Sequence, residues 1–198
     1  MRLIPFALAI VAIVACGNAS SPDDKKLPSS QGQSLVVKER VRGGIAYPPE
    51  RMLLRITGRV RVADPCTLIF EDGTEVILRG GMDAPAMEQQ GLIGDSFYPA
   101  GKQAAEFLKT LIDNKKVTCF ARPKDVVGKR ISGGAADCFV GETNLEIEMV
   151  RNGWAVSNHS GIDCFEVFAR ENKRGLWRGQ FIPPARWRKG ERLPGEQP

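Results

Sequence analysis

Histidine is almost missing from this chain: His159 is the single one in 198 residues. It has no Ser or Cys partner in a recognisable motif, so histidine-assisted nucleophilic chemistry has little support, and the residue is read as part of a loop near the last expected helix. Long apolar runs are equally scarce. The stretch from Leu3 to Ala15 is too short to span a bilayer as a mature helix. With Arg2 before it, it has the form of a targeting segment and is left out of the fold. Acidic residues are outnumbered, 23 against 28 Lys and Arg, for a net charge of +5. That balance favours polyanionic partners, although the basic residues are scattered and a visible cluster, Arg186 to Arg192, lies near the C-terminus.

What is present divides the chain into four parts. Residues 1–15 read as a lipoprotein signal peptide, because Ile13-Val14-Ala15-Cys16 resembles a bacterial lipobox that would leave Cys16 acylated. Gly17 and Asn18 follow instead of an aspartate, which points to the outer membrane or the periplasmic face of the envelope. Residues 16–50 are rich in Ser, Pro, Gln, Lys and Gly and cannot offset their ordering entropy by burial. They read as a tether. Residues 51–188 are one domain's worth of chain, and residues 189–198 read as a frayed polar tail.

Within the domain, Leu54, Ile56, Gly58, Val60 and Val62 alternate with polar residues, the period-two mark of a half-buried strand. A second strand follows from Thr67 to Phe70, Glu71-Asp72-Gly73-Thr74 supplies a tight turn, and Glu75 to Leu78 forms a third strand. The period then changes. Ala104, Ala105, Phe107, Leu108, Leu111 and Ile112 fall on one helical face after Gly101. Strand-like segments at 116–122 and 135–140 come next, then helices near 143–152 and 164–173. This order predicts an α+β fold, mainly β: a five-stranded OB-fold barrel with three packed helices.

The motifs carry a resemblance. Asp64-Pro65-Cys66-Thr67 and Met82-Asp83-Ala84-Pro85-Ala86 stand where the staphylococcal nuclease (thermonuclease) family has Asp-Gly-Asp-Thr and Ile-Asp-Ala-Pro-Glu turns. Asp125-Val126-Val127-Gly128-Lys129, Met149-Val150-Arg151-Asn152-Gly153-Trp154-Ala155 and Arg174-Gly175-Leu176-Trp177 resemble later segments of that family. Phe181-Ile182-Pro183-Pro184 through Trp187-Arg188 is similar to a tail common in its proteobacterial members. The same pattern places Trp154 and Trp177 in structural segments rather than on a base-stacking platform.

The resemblance implies a calcium ion held by two aspartates, a glutamate that activates water, and two arginines that grip phosphate. Asp64 and Asp83 match the metal-binding positions, but Cys66 replaces a direct ligand with a soft donor ill suited to calcium. Asp64 and Asp83 can equally be turn caps bonded to their own backbone. Ala86 stands where the glutamate belongs; Glu88, two residues on, is the substitute considered, against a plain reading as a solvated surface residue. The strand arginine matches Leu78, and Arg79 points to the other face unless a bulge near Gly80-Gly81 intervenes. Lys129 matches the second arginine and lacks its fork.

Removing Cys16 leaves Cys66, Cys119, Cys138 and Cys164, which allow three pairings. An antiparallel hairpin would set Cys119 opposite Cys138, and secreted members that the chain resembles carry cysteines at both places. Cys66 with Cys164 then follows by elimination alone, against two buried thiols. Two functions remain in view. One is an envelope-anchored pseudoenzyme that binds nucleic acid or a protein partner and needs no cofactor. The other is an active calcium-dependent phosphodiesterase.

Overall fold

A computed structural model describes residues 53–78, 80–132 and 136–196. Signal peptide, tether, Cys16 and Arg79 all lie outside the described residues. The first strands bear out the alternation: exposure switches at every residue from Leu53 to Arg61. β1 (Leu54–Gly58) and β2 (Val60–Asp64) are one run of chain interrupted at Arg59. β3 (Thr67–Phe70) and β4 (Glu75–Ile77) follow, joined by the Asp72-Gly73 turn. Gly73 has φ of 83° there, a left-handed geometry that glycine adopts without a Cβ clash. Asp72 accepts the backbone N–H of Thr74 at 2.8 Å and its hydroxyl at 2.9 Å, which holds the Asp72 carboxyl below its ordinary range.

β5 (Met82–Asp83) leads to a hairpin of β6 (Gly91–Ile93) and β7 (Ser96–Tyr98) that the sequence reading did not anticipate. α1 (Ala100–Ile112) buries Ala104, Ala105, Leu108 and Ile112 on one face, with Phe107 and Leu111 packed at its edge. β8 (Val117–Ala121), β9 (Val126–Val127), β10 (Arg130–Ile131), β11 (Ala136–Val140) and β12 (Thr143–Asn144) come next. Asn144 then caps α2 (Leu145–Arg151) by accepting the Ile147 N–H at 3.1 Å. β13 (Val156–Ser157), α3 (Asp163–Glu171) and the single-turn α4 (Pro184–Trp187) complete the elements.

The α+β class holds, but the hydrogen bonds do not form one closed five-stranded sheet. One sheet runs β1-β8-β11-β12 and another β2-β3-β4-β10-β9; β13-β5 and β6-β7 are two-stranded. The break has a local cause. The chain leaves β8 and turns to pair with β3 around Arg59, where a Cβ on Gly58 would stand 3.2 Å from the Phe70 ring, and a further irregularity falls between Val62 and Asp64. The core between sheets and helices is built from Leu68, Val76, Leu78, Met82, Leu108, Val117, Leu145 and Met149, all fully buried.

Cys119 and Cys138 face each other in the antiparallel β8–β11 register and are joined by a disulfide, with S–S 2.03 Å and Cα–Cα 4.1 Å. Cys66 is buried at the β2–β3 turn, and Cys164 sits in the first turn of α3. The C-terminal segment departs from the frayed tail expected. Leu193 is 7% exposed, and Glu196 accepts hydrogen bonds from Trp187 Nε1 at 2.7 Å, the Leu193 N–H at 2.9 Å and the Gln90 N–H at 3.2 Å. An apolar side chain and a multiply bonded carboxylate dock residues 189–196 despite their polar composition. Among the described residues no helix is long and apolar enough to cross a membrane.

Candidate functional site

The two turns expected to hold a cation sit at the ends of β2 and β5. At the first, Asp64 Oδ1 accepts the backbone N–H of Cys66 at 2.8 Å, a self-capped Asx turn. The Cys66 carbonyl accepts the N–H of Leu78 at 2.7 Å. Position 66 is therefore fixed by its backbone on both sides while its side chain lies in the core. At the second, Asp83 pairs with Val156 across β5–β13, and its carboxylate forms an ion pair with the Arg188 guanidinium. Arg188 also donates to the Ala84 carbonyl at 3.2 Å. A side chain from beyond α4 thus occupies the charge-compensating role at Asp83.

The remaining expected groups do not converge there. Leu78 is fully buried. Ala86 has its carbonyl pressed against the start of α1, where a Cβ on Gly101 would fall 1.7 Å from that oxygen. Only a residue without a side chain fits this contact, which fixes the loop that carries position 86. Glu88 is exposed in the following turn. Lys129 donates its ammonium to the Asp72 carbonyl at the β3–β4 turn, and its neighbour Arg130 lies opposite Glu75. Leu78, just past the end of β4, is three residues on from Glu75, about 10 Å at the usual strand rise.

These residues do not fit a calcium ion. Hard cations want several convergent carboxylate and carbonyl oxygens, and among the described residues no group of three or more acidic, Cys or His side chains comes together. One carboxylate caps a turn, one faces a guanidinium, and a sulfur and an alanine replace the rest.

Two residues of consequence escaped the sequence reading. Arg188 offers no local signal, since its partner is 105 residues away. Glu146 could have been found: it shares the α2 face of Met149 and Val150, three and four residues on. It is 4% exposed and accepts the N–H groups of Gly80 and Gly81, each at 3.1 Å. Burial is the main cause that pushes its pKa up to about 7, and the nearby Asp137 charge adds to it. The other singled-out side chains have structural partners. Trp154, Trp177 and Trp187 each lie under an arginine of the same chain, Arg178 at 5.2 Å, Arg170 at 4.4 Å and Arg192 at 3.8 Å. His159 is an exposed loop residue whose Nδ1 accepts the Gly161 N–H at 3.1 Å.

Residues 76–179 match the family model for the staphylococcal nuclease homologue, and the chain belongs to that family. A relative from Yarrowia lipolytica, named probable endonuclease LCL3, is 26% identical over 124 residues, which are 56% of this chain and 54% of that protein. The chain therefore spans about half the length of the curated relative it matches.

Proposed function

We propose that this protein is a nucleic-acid-binding member of the nuclease family whose phosphodiesterase chemistry is impaired. The observation that carries the proposal is the engagement of Asp83 by Arg188, which leaves that carboxylate compensated without a metal. Support comes from Asp64 capping its own turn, from Leu78 in the core and from Lys129 bonded to the Asp72 carbonyl. Losing one preorganised charge-stabilising donor costs about 10²–10³ in rate, and here several positions are altered at once. The family's typical use of calcium and the name of the endonuclease relative favour the alternative, an active phosphodiesterase hydrolysing DNA or RNA.

The deciding experiment incubates the purified protein with single-stranded DNA and RNA, with and without calcium. It measures acid-soluble nucleotide and, separately, retention of the intact strand. Retention without cleavage is expected, and calcium-dependent turnover at rates usual for a nuclease would overturn the proposal. A protein that neither retains nor cleaves the strand would instead be one that binds a protein partner.

We read the two larger sheets as two halves of one rolled barrel, a reading supported by the consecutive strands β1 and β2, which fall in different sheets, and by β10 and β11, which do the same. A lipid on Cys16 holds the domain at the envelope, since several acyl chains anchor firmly at about 0.8 kcal/mol per buried CH₂. Replacing Cys16 with Ser should move the protein from the membrane to the soluble fraction.

A further inference from the structure

A groove of about 420 Å³ lies away from the Asp64 and Asp83 turns, between the β2–β3 pair and the turn that follows α1. Arg59 and Arg61 enter it from the break before β2 and from β2 itself, Ile69 and Glu71 from β3 and the turn after it, and Asn114 and Lys115 from the turn after α1. Arg61 stands opposite Ile69 in the register. Lys115 is already paired with Asp113 at 3.1 Å. Arg59 and Arg61 are different: both are exposed, and among the described residues neither guanidinium has an ion-pair or hydrogen-bond partner.

Arg59, at the break before β2, and Arg61, within β2, both face outward, and their backbones are separated by about 6.6 Å of extended chain. That spacing suits successive phosphates of an extended strand, and the fork of each can grip phosphate oxygens. Among the described residues Glu71 is the only carboxylate lining the groove, so its charge does not cancel theirs. Half-buried Ile69 offers an apolar patch between the charges. The turn is held by two consecutive left-handed residues, Asp113 at φ 47° and Asn114 at φ 55°. Both types tolerate that conformation. The outward row continues up β1 to Arg55, opposite Phe120, whose ring meets Phe139 edge-on at 6.1 Å. Phosphate-gripping cations running toward half-exposed aromatics are the elements of a single-strand track. Asp137, on the far side of Phe120, marks its boundary.

We infer that the groove at Arg59 and Arg61 is a backbone-binding site for single-stranded nucleic acid, separate from the family's hydrolytic position. The inference rests on the proposed binding function and gives that function a location. The test measures fluorescence anisotropy of a labelled twelve-nucleotide oligothymidylate with the mature protein in EDTA, across a salt series. It compares the unaltered protein with Arg59→Ala/Arg61→Ala, with Glu71→Gln and with Lys129→Ala, each confirmed as folded by its thermal melt.

The double variant should bind about tenfold more weakly at low salt, and its log–log salt slope should drop by about 1.4 for two lost phosphate contacts. Glu71→Gln should tighten binding. If Lys129→Ala abolishes binding while the double variant leaves it intact, the groove is wrong and the binding function stands. If the unaltered protein ignores the oligonucleotide, the proposed function and this site fall together. Inorganic polyphosphate competing as strongly as the oligonucleotide would overturn the assignment to nucleic acid and leave a polyanion site.

Discussion

At Glu146 the protein keeps a carboxylate where the surroundings favour its neutral form. The folded pKa is raised to about 7 against an ordinary 4.5, so between those pH values the folded state binds more protons than the unfolded chain. Stability should therefore fall as pH rises from about 4.5 to about 7 and level off above, a loss on the order of 3 kcal/mol from this group. Glu146→Gln should flatten that slope, as read from urea midpoints at pH 5 and pH 8. Asp83 and Arg188 make a second residue-scale prediction. Arg188→Ala leaves a carboxylate only 13% exposed without its partner. Because Arg188 itself is 33% exposed, the expected cost is about 1–2 kcal/mol rather than that of a fully buried pair. Adding Asp83→Asn should recover part of it, a coupling that a double-mutant cycle by chemical denaturation would measure.

Among the elements, the β8–β11 pair is tied by the disulfide across 19 residues of sequence. Cys119→Ala/Cys138→Ala should cost about 3 kcal/mol in denaturant unfolding. Gly101→Ala is a sharper local test, since its new methyl would meet the Ala86 carbonyl at 1.7 Å. The loop at 85–89 and α1 would have to part, and a drop of about 2 kcal/mol or more is expected by the same measurement. This is also the scale at which the sequence was most readable. Period-two alternation exposes β1 and β2, and the Gly73 turn announces the β3–β4 hairpin, because both signals are local. The division into two sheets was not readable, since it depends on where the chain, passing from β1 to β2, exchanges β8 for β3 as a neighbour. The site residues were legible one by one as substitutions at Cys66, Leu78 and Ala86. Their dispersal was not, because where Lys129 and Arg188 reach is decided by tertiary neighbours.

For the whole molecule, the segment after α4 acts as part of the domain through Leu193, Glu196 and Arg188. Deleting residues 183–198 should lower stability by on the order of 3 kcal/mol, or about 6–12 °C in a thermal melt, from lost apolar burial and the orphaned carboxylate. An unchanged melt would mean that this docking contributes nothing. The span of 105 residues between Asp83 and Arg188 also has a temporal meaning. A ribosome that has finished the Asp83 turn must still translate more than half of the domain before the matching guanidinium emerges. The nascent chain thus carries an uncompensated carboxylate throughout that span, and this corner of the molecule is sealed only once Arg188 has been made.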